Sequence, residues 1–196
     1  MINLFVGHYK DPNPHRNAEL VYCVKSNTNN KNFNTILLSQ TVRENFSFYF
    51  DAIKKYPNNN GINIIANSDI CFDDTILYTL NMLDGQVFAL NRWDGTGPGA
   101  VHYNMLCSSD CWIFKGPPNN IFGDFVLGHH GSDGRVGYEI IRAGYKLYNP
   151  SLTIKTYHVH NSGVRNYSIQ ANCIPGPYAG APASTLNNLI PGNLVA

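Results

Sequence analysis

Short apolar runs bounded by turn residues recur along the first half of the chain: Ile2 to Val6, Thr35 to Leu38, Ile62 to Ala66 and Val87 to Leu90. A strand buried on both faces reads as such a run rather than as an alternation. Segments of helical period lie between them. Phe46, Tyr49, Phe50 and Ile53 stand at i, i+3, i+4 and i+7 and so share one face, and Pro57 with Asn58, Asn59, Asn60 and Gly61 stops that helix. Ile76, Leu80 and Leu83 repeat the pattern, and Ala18 to Lys25 is a weaker helical stretch between the first two strands. Strand, helix, strand, helix, strand, helix, strand is the order that results. It predicts an α/β fold, a Rossmann-like, mainly parallel sheet flanked by helices on both faces.

The second half is less regular. Asp94 to Tyr103 is rich in Gly and Pro and predicts a loop over the sheet edge. Cys111 to Phe114 reads as a further strand, Val136 to Ala143 as a helix closed by Gly144, and Tyr145 to Val159 as strand-rich with a break at Asn149-Pro150. After Tyr167 the prolines 175, 177, 182 and 191 and the scarcity of periodic apolar residues predict a tail that wraps the surface or stays partly disordered. The expected division is residues 1–167 as one catalytic domain and 168–196 as an irregular tail.

Composition narrows the function classes. A length of 196 residues with 43% hydrophobic content suits one core, and the net charge of +1 provides no broad field for nucleic acid or an anionic membrane. The five cysteines, Cys23, Cys71, Cys107, Cys111 and Cys173, lack CxxC spacing and read as buried free thiols in a reducing compartment. With no basic and apolar leader and no apolar run of spanning length, the chain is expected to be cytoplasmic, without membrane insertion.

In open parallel sheets, ligands sit beyond the carboxyl ends of the strands. The third run ends in Asn67-Ser68-Asp69, placing an amide, a hydroxyl and a carboxylate at that edge, oxygen donors that suit Mg²⁺ or Mn²⁺. Asp is equally favoured where a turn closes, and Asp73 or Asp74 is expected to cap the following helix. In Thr156 to His160, alternate strand residues His158 and His160 project together as candidate metal ligands, or as histidines that hydrogen-bond at a sheet edge. Asp133 in Gly131-Ser132-Asp133-Gly134 is placed as a helix N-cap, and the same loop can lift its carboxylate to accept a proton. Gly7, His8 and Tyr9, with Arg16 close behind, offer a turn, two rings and a cation for a nucleotide, although no P-loop or dinucleotide motif is present. Arg92, Trp93 and Asp94, with Asp110, provide stacking and hydrogen bonds for a sugar, whereas Trp112 inside an apolar run reads as core.

In chain order, the opening strand, the strand ending in an xxD acidic motif, the GSD before a helix and the late histidines resemble the GT-A class of nucleotide-sugar-dependent glycosyltransferases. The resemblance covers residues 2–167 by pattern rather than identity. It implies a GT-A-like single domain that transfers a sugar from a nucleoside-diphosphate sugar, UDP-linked, to a glycan acceptor with Mn²⁺ or Mg²⁺. It further implies that Asp69 binds the metal, helped by His158 or His160, that Asn67 and Ser68 contact the nucleotide, and that Asp133 serves catalysis. Asn67 stands where the family has its first Asp, which implies a weaker metal site or a greater need for the histidines. Two other readings use the same residues: a nucleotidyltransferase or metal-dependent hydrolase on a related sheet, and a carbohydrate-binding module without turnover.

Overall fold

A computed structural model describes residues 1–164 and 172–195; the expected boundary at 167/168 lies outside them. In chain order the elements are β1 (Ile2–His8), α1 (Pro14–Asn29), β2 (Asn34–Ser39), α2 (Phe46–Lys55), β3 (Ile62–Ala66) and β4 (Ile70–Phe72). A 3₁₀ segment (Asp74–Asn81) leads to β5 (Gln86–Leu90), β6 (Trp93–Asp94), β7 (Val101–His102) and β8 (Cys111–Lys115). Then come α3 (Ser132–Arg142), β9 (Lys146–Tyr148), β10 (Thr156–His158), β11 (Tyr178–Gly180) and β12 (Asn193–Val195).

The main sheet has six strands in the order β2-β1-β3-β8-β5-β9. The pairs β1/β2, β1/β3 and β5/β9 are parallel, and β8 runs antiparallel to both of its neighbours. This is the mainly parallel α/β sheet that the spacing of apolar runs predicts. Side chains alternate across the sheet as the pleat requires. Leu4, Val6, Ile64, Phe88, Leu90 and Ile113 join one core cluster, with Ile76 of the 3₁₀ segment. Phe5, Ile65, Val87, Ala89, Trp112 and Phe114 join the other, where Phe46, Tyr49, Phe50 and Ile53 of α2 and Val136 and Ile140 of α3 cover them. Trp112 is fully buried, as its place in an apolar run implies.

Four expectations change. The segment from Asp74 is a 3₁₀ helix, so three residues per turn align Ile76, Thr79 and Met82 on the buried side, while Leu80 and Leu83 stay exposed. Asp73 is its N-cap and accepts from Thr75 N. The Gly/Pro-rich stretch from Asp94 is no plain loop: β6 and β7 pair around a short 3₁₀ turn at Gly97–Gly99. The described part of the tail, residues 172–195, is ordered. β11 pairs with β12, Ala179 and Ala181 are buried, and Gly192 N donates to Leu147 O. The thiols are all free, but Cys107 is half-buried and Cys173 exposed, against an expectation of five buried ones. Among the described residues no helix is long and apolar enough to cross a membrane.

Phe46 is the hinge of the second cluster: it has no exposed surface, meets Trp112 edge-on at 4.8 Å and Phe125 at 5.4 Å. Replacing Phe46 by Ala is expected to cost about 3–5 kcal/mol of unfolding free energy in urea titrations. Val42→Ala, at a position 67% exposed, should stay within about 0.5 kcal/mol of the parent. Equal losses in the two variants would contradict this placement of the core.

Candidate active site

The carboxyl edge of the sheet collects the polar residues because β8 runs against its neighbours. After β5 the chain crosses that edge through β6 and β7 and re-enters as β8 at Cys111, which pairs with Leu90 on one side and Ala66 on the other. Asp110, one residue earlier, is therefore placed beside Asn67. The two are joined by Asn67 N to Asp110 O at 3.0 Å and by Asn67 Nδ2 to Asp110 Oδ1 at 3.0 Å.

A second, four-stranded sheet, β4-β10-β6-β7, stands over this edge. His158 of β10 is in register with Ile70 of β4 and Asp94 of β6, and Val159 N donates to Asp69 O at 2.9 Å. That register brings His158 and His160 to Asp69. His158 Nε2 lies 3.3 Å and His160 Nδ1 3.9 Å from Asp69 Oδ2. One ligand atom from each of Asp69, His158 and His160 falls within 4.8 Å of the others, a spacing that one metal ion can bridge.

Arg16 completes the group. Asn13 caps α1 by accepting from His15 N and Arg16 N, and Arg16, in the first turn, reaches Asp69 Oδ2 with Nη2 at 2.5 Å. Its Nη1 donates to Glu19 at 3.1 Å. Burial opposes ionisation of Asp69, but the His158 hydrogen bond and the charges of His158 and Arg16 outweigh it and hold the carboxyl well below the usual range. Burial likewise opposes a charged His158, yet Asp69 and the nearby charge of Asp110 hold its pKa up. His160 is pushed down by burial and by Arg16. His158 Nδ1 rests on Asp94 Oδ1 at 2.8 Å, and Arg92 bridges Asp94 at 2.8 Å and Asp110 at 3.3 Å.

These residues open into a cavity of about 410 Å³. Of the residues expected to bind a nucleotide, Tyr9, Arg16, Asn67 and Ser68 line it; Arg92, Asp110 and Asp133 line it as well. Gly7 and His8 do not. Gly7 packs so tightly under Gln40 and Tyr49 that a Cβ would sit 2.5 Å from Gln40 Oε1, and its carbonyl accepts from Ser68 Oγ at 2.8 Å. His8 is exposed at the end of β1. Trp93 also turns elsewhere: its Nε1 donates to Ser151 O at 2.9 Å, and its ring packs on His102 and under the Lys155 ammonium. Asp94 borders an adjoining depression shared with His158 and His160.

Asp133 differs from its expected place. The N-cap of α3 is Gly131, whose φ of 81° favours glycine, and Asp133 lies inside the first turn. Freed from capping, its Oδ2 accepts from Ser109 N at 3.3 Å and its Oδ1 from Ser132 Oγ at 3.2 Å. Burial, reinforced by the charge of Asp110, pushes its pKa up to about 8. Sequence reasoning missed Gln40, Arg43, Tyr103, His129, His130 and Tyr178 in the cavity wall. Gln40 and Arg43 follow the carboxyl end of β2, so the strand-end rule that singled out Asp69 points to them too.

The raised pKa of Asp133 has a measurable consequence. The folded chain keeps this proton up to about pH 8, whereas an unfolded Asp releases it near 3.8, so stability falls as pH rises between those values. Asp133→Asn removes the penalty. Its unfolding free energy should match the parent near pH 4, exceed it by at least about 1 kcal/mol at pH 8, and level off above. A pH-independent difference would contradict the assignment.

Comparison of the chain with known protein families and with curated proteins found no match.

Proposed function

We propose that this chain is a metal-dependent glycosyltransferase that moves a sugar from a nucleoside-diphosphate sugar, UDP-linked, to a glycan acceptor. The observation that carries the reading is the meeting of Asp69, His158 and His160 within 4.8 Å at the ligand edge of the sheet, in one cavity with Arg16 and Asp133. The GT-A resemblance gives these same residues the metal and catalytic roles. The donor set fits Mn²⁺ or Mg²⁺, and the two imidazoles favour Mn²⁺. Asp94 on His158 Nδ1 leaves Nε2 for the ion, an outer carboxylate of the kind that orients metal-binding histidines. When bound, such an ion supplies positive charge against the diphosphate.

The chain's own groups divide the rest of the work. Arg16 spends two guanidinium nitrogens on Glu19 and Asp69 and keeps further N–H donors for phosphate oxygens. Tyr9 offers a ring to the base. Transfer breaks the bond between the anomeric carbon and the diphosphate oxygen and forms one to the acceptor oxygen. The acceptor's proton passes to Asp133, whose raised pKa makes it a stronger base than a solvated carboxylate. In this reading Asp110, held by Asn67 and Arg92, accepts from a sugar hydroxyl.

Calorimetry with UDP should show binding that requires Mn²⁺ or Mg²⁺, is tighter with Mn²⁺, and disappears in Asp69→Ala. Asp94→Asn should weaken metal binding about 10–100-fold. Asp133→Asn should keep UDP binding and lower transfer about 10²–10⁴-fold. In the parent, transfer should rise with pH as Asp133 ionises, through about pH 8. UDP binding that is indifferent to both metals and to Asp69→Ala would defeat the proposal, and pyrophosphate release from a nucleoside triphosphate would identify nucleotidyl transfer instead.

A further inference from the structure

One stretch of the cavity wall differs in chemistry from the rest. Residues 95–109 contain no Asp, Glu, Lys or Arg, whereas elsewhere the wall carries Arg16, Arg43, Glu44, Asp69 and Asp133. Within that stretch four large apolar side chains stand exposed in six residues: Val101, Tyr103, Met105 and Leu106, with Met105 53% exposed. Tyr103 and Met105 line the cavity, so the apolar surface is continuous with it.

The segment is held in place rather than loose. The buried Asn91 amide donates to the carbonyls of Met105 at 2.8 Å and Ser108 at 2.5 Å. Tyr103 N donates to Arg92 O at 2.9 Å, and the Arg92 guanidinium lies 4.2 Å from the Tyr103 ring centre. Three residues past Leu106, Ser109 N donates to Asp133. One run of chain therefore leads from Asp133 to an uncharged apolar rim.

We infer that Tyr103, Met105 and Leu106 form a subsite for an apolar aglycone, an alkyl or aryl group attached to the acceptor sugar. The inference rests on the glycosyl-transfer reading for the sugar's place beside Asp133. A charged acceptor tail gains no partner from residues 95–109, while each methylene that this rim removes from water tightens binding about fourfold. Methionine adapts to an irregular apolar group, and the Tyr103 ring gives it a rigid floor. Alkyl and aryl aglycones share this chemistry, and the test separates them.

The chain has three methionines, of which Met1 and Met105 are exposed and Met82 is buried, so methyl-¹³C methionine gives three readable NMR signals. With UDP and Mg²⁺ present, methyl, octyl and phenyl β-D-glucosides are titrated below the micelle concentration. The Met105 signal should shift saturably with the octyl or the phenyl glucoside while Met1 and Met82 stay still. Half-saturation should come at a concentration at least about tenfold lower than for the methyl glucoside. Tyr103→Ala, with an unchanged melting temperature, should raise it severalfold. An unmoved Met105, or an equal response to the methyl glucoside, overturns the inference. So does a Met105 shift that follows protein concentration alone, which would mark a contact between two copies of the chain. UDP binding with a silent Met105 defeats the subsite only; a responsive Met105 without UDP binding defeats the glycosyl-transfer reading and leaves the apolar site.

Discussion

A carboxylate withdrawn from water costs several kcal/mol unless charges and donors surround it. Asp69, 8% exposed, meets that requirement by drawing on three separate parts of the chain. Arg16 comes from the start of α1, His158 from β10, and His160 from the segment beyond it. The contacts extend outward without a gap. Ser162 binds Glu19, Glu19 binds Arg16, Arg16 binds Asp69, and Asp69 faces His158. On the other side His158 meets Asp94, Arg92 joins Asp94 to Asp110, and Asp110 returns to Asn67, two residues from the start. Such a closed network fixes side-chain geometry because moving any member leaves a buried group unpaired.

The network is possible only because of how the sheet is built. A parallel strand between β3 and β5 would enter from the opposite edge and place its preceding residue far from the ligand side. The reversed β8 enters at the same edge where β3 and β5 leave, so Asp110 and Asn67 are adjacent by register alone. The small sheet acts in the same way. Pairing of β10 with β4 sets His158 opposite Ile70, and pairing with β6 sets it opposite Asp94, so two backbone ladders fix the imidazole before any side chain does.

The sequence made the fold class legible because fully buried strands leave unbroken apolar runs, and β1, β3 and β5 are such strands. It made Asp69, His158 and His160 legible as candidates through strand ends and alternate spacing, and the structure brings all three together. What it hid was set by tertiary choices. The helical period of Ile76, Leu80 and Leu83 gave way to a three-residue repeat once Thr79 and Met82 were buried beside Ile76. Asp133 lost its capping role to Gly131, which takes a left-handed turn that side-chain preference does not announce. Trp93 left the ligand edge because its indole N–H found the Ser151 carbonyl across the small sheet. Tyr103 lies in the cavity instead, a placement decided by the β6–β7 hairpin rather than by local pattern.

Two carboxylates at one cavity are pulled in opposite directions. Both are recessed, and burial raises the pKa of each, so burial does not distinguish them. Their neighbours do. Asp69 has a guanidinium and an imidazole on the same oxygen, which keeps it ionised, whereas the strongest charge near Asp133 is another carboxylate, Asp110. A pair of acids, one held ionised and the other held protonated to higher pH, is what the proposed division between a cation-binding group and a proton acceptor would need. Arg92 bears on both Asp110 and Asp133. Its positive charge lowers the pKa of Asp110 and of Asp133 alike. The residue that steadies Asp94 behind His158 thus also acts on Asp133, so one side chain reaches the surroundings of both acids.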